Sequence, residues 1–129
     1  MFNLFKKKSK YPDFRILNTF HKKSFYFHRH TEWAIVDNES LLVTDPKNLD
    51  MITLNGWKRD LFMAADGKQT IEAFIYFVAD QYTGTIPYNL DHLIIWELLE
   101  LEKKNLIVLS KTQEVLPTEF EMPGLAGIK

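Results

Sequence analysis

Three helical stretches in the middle of the chain constrain its fold more than any other feature. Each places apolar residues three or four positions apart, a spacing that gathers them on one helix face. Helix-ending residues separate the stretches: Asp66-Gly67 follows the first, and the segment TGTIP follows the second. The pattern therefore predicts helices over residues 56–65, 71–82 and 90–104.

Short runs of β-branched and aromatic residues lie on either side of these helices. Three runs come first, at residues 25–36, 41–45 and 50–54, with Asp, Asn and Pro in the turns between them. They predict a small antiparallel meander. After the last helix, residues 106–110 and 114–118 flank the turn sequence KTQ, which predicts a β-hairpin.

This order of elements predicts an α+β fold, a winged helix-turn-helix of three helices and a C-terminal β-hairpin, preceded by the meander. We expect this domain to occupy residues 25–116. Residues 1–24, with Pro12 and a lysine cluster, are expected to form a basic flexible arm. Residues 117–129 contain Pro and Gly and are expected to form an extended tail.

The composition excludes several classes of protein. A chain of 129 residues that is 46% hydrophobic can bury a core without a stabilising metal or disulfide. It has no cysteine, which excludes thiol chemistry and cysteine-ligated zinc and suits a reducing cytoplasm. No apolar run approaches the roughly 18 residues that span a bilayer, and the N-terminal order of charges does not fit a secretory signal. We expect a cytoplasmic protein.

Positive charge is concentrated at the N-terminal end. Residues 1–30 hold eight of the 16 Lys and Arg but only one of the 17 Asp and Glu, so the rest holds eight basic and sixteen acidic residues, a net charge of −8. Nucleic-acid binders place positive charge on the domain that meets the phosphates, so this balance disfavours that class. Phe2, Leu4 and Phe5 would allow the arm to contact an anionic membrane, but a solvated arm is the simpler interpretation.

The predicted last helix has a broad apolar face and an unusual polar one. At about 100° per residue, its core face consists of Leu90, Ile94, Leu98 and Leu101, extended by Ile95 and Leu99. The opposite arc carries charged residues but also Leu93 and Trp96. Either the meander covers Trp96, or the two residues form an exposed apolar spot that binds a partner.

DNA recognition by this helix is disfavoured. A reading helix presents Arg, Lys, Asn or Gln to base edges, with cations nearby for the phosphates. This helix offers Asp91, Glu97, Glu100 and Glu102, and its lysines come only at its end. Carboxylates repel a phosphate backbone, and few cations are present to release counterions.

Three stretches share a distinctive order of elements and of the turn and capping residues between them: LLVTDPKNLDMITLNGWKRDLF, DGKQTIEAFIYFVADQY and LDHLIIWELLELEKKNLI. They contain two short strands, a Leu-Asn that enters a helix, an Asp-Gly-x-x-Thr turn before a second helix, and a last helix that closes on Asn. In these features the chain from Trp33 to Val108, about three-fifths of its length, resembles the PqqD-like family, the RiPP recognition elements.

The resemblance implies a protein without enzymatic activity, which captures the leader segment of a peptide and presents it to a modifying enzyme, often a radical SAM protein. In that family the peptide adds to the third strand of the meander and lies against the last helix. On this chain, the resemblance implies these peptide- or partner-binding residues: Met51, Ile52, Thr53, Leu54, Leu93, Trp96, Glu97 and Glu100.

Other partners remain open. A small winged-helix transcriptional regulator would bind DNA through the basic arm and the wing, as a dimer. An adaptor or immunity-type protein would block another protein with its acidic body. The Leu93–Trp96 spot would also serve as a homodimer contact, and the tail would fill it if Phe120, Met122 and Leu125 acted as internal plugs.

No pattern indicates catalysis. His28, His30 and Glu32 alternate along a predicted strand, which suits a metal ion but is more typical of a solvated face. The sequence holds no Ser-His-Asp order, glycine-rich phosphate loop or HExxH motif, and His92 beside Asp91 is typical of a surface pair. We therefore expect no metal, no cofactor and no enzymatic activity.

Overall fold

The computed structural model describes residues 10–124. Within them, two small antiparallel sheets and five helices form a mixed α/β fold. The helices are α1 (Arg15–Thr19), α2 (Gly56–Ala64), α3 (Ile71–Asp80), α4 (Leu90–Lys103) and α5 (Thr118–Glu121). The strands are β1 (Tyr26–Arg29), β2 (Trp33–Ile35), β3 (Leu41–Thr44), β4 (Met51–Leu54), β5 (Asp66–Thr70) and β6 (Ile107–Ser110).

The three predicted helices correspond to α2, α3 and α4. Helix α3 begins after Thr70, whose hydroxyl accepts a hydrogen bond from the Ala73 N–H at 3.1 Å. Most of the core stripe predicted for α4 is buried, namely Leu90, Ile94, Ile95, Leu98 and Leu101. Leu99, which was expected to extend this stripe, is 36% exposed instead, because it lies at the edge of the buried face. Burial of this stripe against α1, α2, α3 and β6 makes α4 the central helix of the fold. No helix in this part of the chain has the length and apolar character to cross a membrane.

Strands β2, β3 and β4 form the predicted meander, in that order, but the first predicted strand is divided. Its N-terminal part, β1, joins the other sheet, and only β2 pairs with β3. The chain passes between the sheets at residues 30–32, where the Thr31 hydroxyl donates to the Thr44 carbonyl at 2.5 Å. One continuous strand over residues 25–36 is therefore wrong, because the two halves bury their side chains in different sheets.

The second sheet has the order β5-β1-β6, with β1 in the middle. Strand β6 pairs with β1 in a regular antiparallel register, from Tyr26 opposite Ser110 to Arg29 opposite Ile107. Residues 114–118, predicted to pair with β6, contain no strand. The position beside β6 belongs instead to β1, which carries the fully buried Phe27 into the core.

Residues 10–24 are ordered against the core, whereas the expected arm was flexible. Helix α1 lies here, and Phe14 and Leu17 are fully buried. The buried Asp91 carboxylate accepts a hydrogen bond from the Leu17 N–H at 2.9 Å, which satisfies an amide in the first turn of α1. Burying these two large apolar side chains offsets part of the entropy lost when the segment is ordered. The rest of the predicted arm, residues 1–9, lies outside the described residues.

The C-terminal segment also differs from expectation, because residues 118–121 form helix α5 rather than extended chain. The Phe120 carbonyl accepts hydrogen bonds from Arg29 Nε at 2.8 Å and from Trp33 Nε1 at 2.7 Å. Further along, the Gly124 N–H donates to the Trp33 carbonyl at 2.7 Å. These three bonds attach the end of the described chain to the passage between the two sheets.

Replacing Gly67 by alanine is expected to destabilise the fold strongly. Gly67 has φ +79°, and a Cβ there would lie 2.6 Å from the Glu114 carbonyl oxygen, where the Glu114 N–H also donates to the Gly67 carbonyl. We expect Gly67→Ala to lower the free energy of unfolding by about 3 kcal/mol or more, measured by urea denaturation.

Two other glycines separate the effect of backbone strain at a positive φ from the effect of the clash with the Glu114 carbonyl. Gly56 has φ +58° but open space around it, so Gly56→Ala should cost only the backbone strain, about 1 kcal/mol. Gly84 has neither constraint, and Gly84→Ala should change stability by less than about 0.5 kcal/mol. Equal effects at Gly67 and Gly56 would contradict the close approach of the Glu114 backbone.

Candidate functional site

The outer face of α4 is apolar and exposed. Trp96 is 60% exposed and Leu99 is 36% exposed, while Leu93 is half-buried beside them. The meander therefore does not cover Trp96. An exposed indole on a helix whose other side is buried is a feature of binding surfaces more often than of free monomer surfaces.

A groove of about 400 Å³ runs beside this face. Its lining consists of Asn89, His92, Leu93, Trp96 and Glu97, all from α4 and the residue before it. The residues lie three or four positions apart, so the lining contributed by residues 10–124 comes from one helix face. Three of the predicted site residues, Leu93, Trp96 and Glu97, thus lie together. The groove offers apolar surface, a side-chain amide and an imidazole.

Glu97 is held by a neighbouring helix. Lys58 Nζ on α2 donates to Glu97 Oε1 at 2.5 Å, and both side chains are largely shielded from solvent. The ion pair removes a free negative charge from the groove and links α2 to α4. It contributes to the groove mainly by positioning Glu97, because partly exposed ion pairs add little net stability.

A second cleft, of about 460 Å³, adjoins the first. It lies between α1 and the start of α4, and Ile16 and Tyr88 provide its exposed apolar surface. Asn89 and His92 line both the groove and the cleft. Sequence reasoning missed Ile16 and Tyr88, because α1 was not predicted. The apolar i, i+3 pair of Phe14 and Leu17 was the available signal for that helix.

Strand β4 lies at the edge of its sheet, as the predicted peptide-binding strand should. Met51 and Thr53 are exposed, Ile52 is half-buried and Leu54 is buried. Along an antiparallel strand, successive residues direct their N–H and C=O groups to opposite sides. The Asp45 N–H donates to the Asp50 carbonyl, so the backbone groups of Asp50 face β3. The backbone groups of Ile52 and Leu54 therefore also face β3, and those of Met51 and Thr53 point to the other side, which is the edge of the sheet.

The structure does not bring every predicted residue into one site. No residue of β4 lines the groove, and Glu100, half-buried one turn beyond Trp96, does not line it either. The proposed plugs are also elsewhere: Phe120 packs its ring against His30 at 5.9 Å between centroids, and Met122 is exposed away from the lining. Leu125 lies outside the described residues.

The histidines of β1 and the residues after it do not converge on a metal site. The ring centroids of His28 and His30 are 6.4 Å apart, and Glu32 lies at the end of the passage, where its carbonyl accepts from the Thr44 N–H of the other sheet. Residues 10–124 contain no group of three His, Asp or Glu that could hold a metal ion. His28 Nδ1 is buried without a hydrogen-bond partner within this part of the chain.

Burial lowers the pKa of His28 below its ordinary value of 6.5. Glu114 opposes the shift because its negative charge favours the imidazolium, and His30 adds to it by repulsion. The folded protein therefore binds a proton at His28 less readily than the unfolded chain does.

Comparisons with protein-family models, curated proteins and solved structures find no match for this chain. An inference of function therefore depends on the geometry of α4, the groove and the edge of β4.

Stability should fall with acidification because of His28. A group whose pKa is lowered by folding contributes its full stability above the unfolded value, and that stability is lost as the pH falls below about 6.5. Urea titrations between about pH 7.5 and 5.5 should give a shallower loss of unfolding free energy for His28→Phe than for the unmodified protein. The exposed His21 supplies the control, His21→Asn. Parallel curves for all three proteins would contradict the burial of His28.

Acrylamide should quench Trp96 strongly. In a protein with Trp33→Phe and Trp57→Phe, the remaining Trp96 emission should be quenched equally before and after deletion of residues 117–129, since no residue between 117 and 124 lines the groove. The matched control retains Trp33, which is buried and bonded to Phe120. Its quenching should rise after the deletion. Quenching of Trp96 that appears only after the deletion would place the tail in the groove.

Proposed function

We propose that this chain is a non-catalytic binding module that captures a peptide, or an extended segment of a protein, on the outer face of α4. The observation that carries the proposal is the exposed Trp96 indole beside Leu93, in a groove of about 400 Å³. Large aromatic side chains in such positions are the usual energetic centres of protein interfaces. Leaving an indole in water has a hydrophobic cost that a ligand would remove.

The arrangement of elements supports a winged-helix assignment. The order α2, β5, α3, α4, β6 is that of three helices followed by a strand, with β1 in place of the second strand of the predicted hairpin. With the meander of β2, β3 and β4 in front, this order is compatible with the PqqD-like resemblance. The function implied by that resemblance is presentation of a captured peptide to a modifying enzyme.

The free edge of β4 supports capture of an extended chain. The outward N–H and C=O groups of Met51 and Thr53 would pair with a ligand backbone, which gives affinity without sequence selectivity. Leu54 leads through Asn55 into α2, whose Lys58 holds Glu97 at the groove. Lys58 follows Leu54 by four positions, so their Cα atoms lie within about 15 Å. One extended peptide could therefore contact both the edge and the groove.

A displayed library of random 12-residue peptides tests the proposal. Peptides are selected on the full chain and counter-selected on Trp96→Ala. We expect enriched peptides whose affinity falls about tenfold or more on Trp96→Ala and on Thr53→Pro, which removes an outward N–H at an edge that tolerates proline. Phe77→Ala is the matched control, because Phe77 is an aromatic residue of α3, 57% exposed and outside the groove.

The alternatives give different results. No enriched peptide that depends on Trp96 would contradict the proposal. Binding to duplex DNA with a steep loss of affinity in salt would favour a regulator. If analytical ultracentrifugation shows a dimer that dissociates on Trp96→Ala, a homodimer contact is favoured. If Thr53→Pro does not fold, Met51→Pro serves as the second variant that tests the edge of β4.

A further inference from the structure

The groove beside Trp96 and the cleft beside α1 adjoin each other, because Asn89 and His92 line both. We call the groove and the cleft together the α4 trough. We infer that its ligand is a peptide with two bulky, uncharged apolar side chains, one seated against Leu93 and Trp96 and the other against Ile16 and Tyr88. This inference rests on the proposed function and adds the second anchor and the ligand's chemistry.

The second anchor follows from exposed apolar surface at the far end of the trough. Tyr88 is 81% exposed and Ile16 is 44% exposed. They come from different elements, since Ile16 belongs to α1 and Tyr88 precedes α4. Two exposed apolar residues brought together across a cleft of about 460 Å³ can enclose a side chain, which a single exposed residue cannot.

The position of α1 is fixed by contacts that do not involve a ligand. The Leu17 N–H donates to the Asp91 carboxylate at 2.9 Å, and Leu17 itself is fully buried. Ile16 therefore stands next to an anchored residue and cannot move away from the cleft without breaking a buried hydrogen bond. The wall of the second cleft is present before any ligand arrives, which reduces the entropy lost on binding.

The charges around the trough argue for an uncharged ligand. At the Trp96 end, Glu97 is paired with Lys58, and both side chains are largely shielded from solvent. The Asp91 carboxylate is buried on the Leu17 N–H, so only the exposed pair of Arg15 and Asp13 at the other end carries accessible charge, and the two charges have opposite signs. A charged ligand side chain beside Trp96 would lose hydration without gaining a free partner of opposite sign.

The polar groups between the two ends suit a peptide backbone. Asn89 makes no side-chain capping bond to α4, and His92 is exposed. An amide and an imidazole can each donate to a carbonyl or accept from an N–H. Both lie between the apolar ends, where the backbone joining two anchor residues would pass.

The length of the trough limits the spacing of the two ligand side chains. Asn89 and Trp96 are seven residues apart on or at the start of α4, which is about 10 Å along the helix axis. An extended peptide covers that distance in about three to four residues. The preferred ligand therefore has its two apolar residues three or four positions apart.

The test uses the library peptides that depend on Trp96. A peptide so selected is synthesised with a fluorescent label, and its affinity is measured by anisotropy for the full chain and for Ile16→Asn, Tyr88→Ala and Phe77→Ala. We expect a loss of about fivefold to tenfold on either trough variant and none on Phe77→Ala. Replacing either anchor residue of the peptide by Lys or Glu should weaken binding by a similar factor.

The outcomes separate this inference from the proposed function. Dependence on Trp96 with no loss on Tyr88→Ala and Ile16→Asn would overturn the second anchor and leave peptide capture intact. Peptides that bind through a required Lys, Arg, Asp or Glu would overturn the uncharged ligand. If no peptide depends on Trp96, the proposed function and the inference both fail. Tyr88→Ala changes a residue that is 81% exposed, so it keeps the test valid if Ile16→Asn disturbs α1.

Discussion

The buried guanidinium of Arg29 joins three parts of the fold that no continuous element connects. It donates to the Phe62 and Met63 carbonyls at the end of α2, at 3.1 and 2.7 Å, and to the Phe120 carbonyl at 2.8 Å. Its carbon lies 5.3 Å from the centroid of the Trp33 ring. Burial lowers the pKa of Arg29, and the charges of Asp66 and Glu121 partly oppose this. The carbonyl groups at the C-terminal end of α2 stabilise the positive charge of the guanidinium.

The hydrogen bonds of Arg29 and Trp33 to the Phe120 carbonyl determine where the C-terminal segment lies. Because Phe120 accepts bonds from Arg29 and Trp33, residues 118–124 are held at the passage between the sheets, and none of them lines the groove. The Gly124 N–H also occupies the Trp33 carbonyl of β2, whereas the outward groups of β4 have no backbone partner within residues 10–124. The described part of the C-terminal segment therefore covers neither of the two features proposed to bind a ligand, the β4 edge and the outer face of α4.

Local patterns predicted the helices well and the pairing of strands poorly. The spacing of Leu90, Ile94 and Leu98 identified the buried face of α4, and it also placed Trp96 opposite. The place of β1 between β5 and β6 depends on residues that lie about 40 and 80 positions away, and no local pattern carries that information. Helix α1 has five residues, so the single apolar pair of Phe14 and Leu17 was the whole of its periodic signal. Arg29 lies between two histidines, where the sequence resembles a solvated strand face.

Local sequence patterns also fail to predict the charge of the candidate site, because the charge depends on partners from distant parts of the chain. In sequence, α4 looks acidic, which favours a basic ligand. In the fold, Glu97 is neutralised by Lys58 from a helix that begins more than thirty residues earlier, and Asp91 is buried under α1. What faces solvent along the groove is an indole, an imidazole, a side-chain amide and part of a leucine. Selectivity at such a surface comes from the shape and spacing of the ligand's apolar side chains. Charged ligands are excluded because the groove offers no free opposite charge to replace their lost hydration.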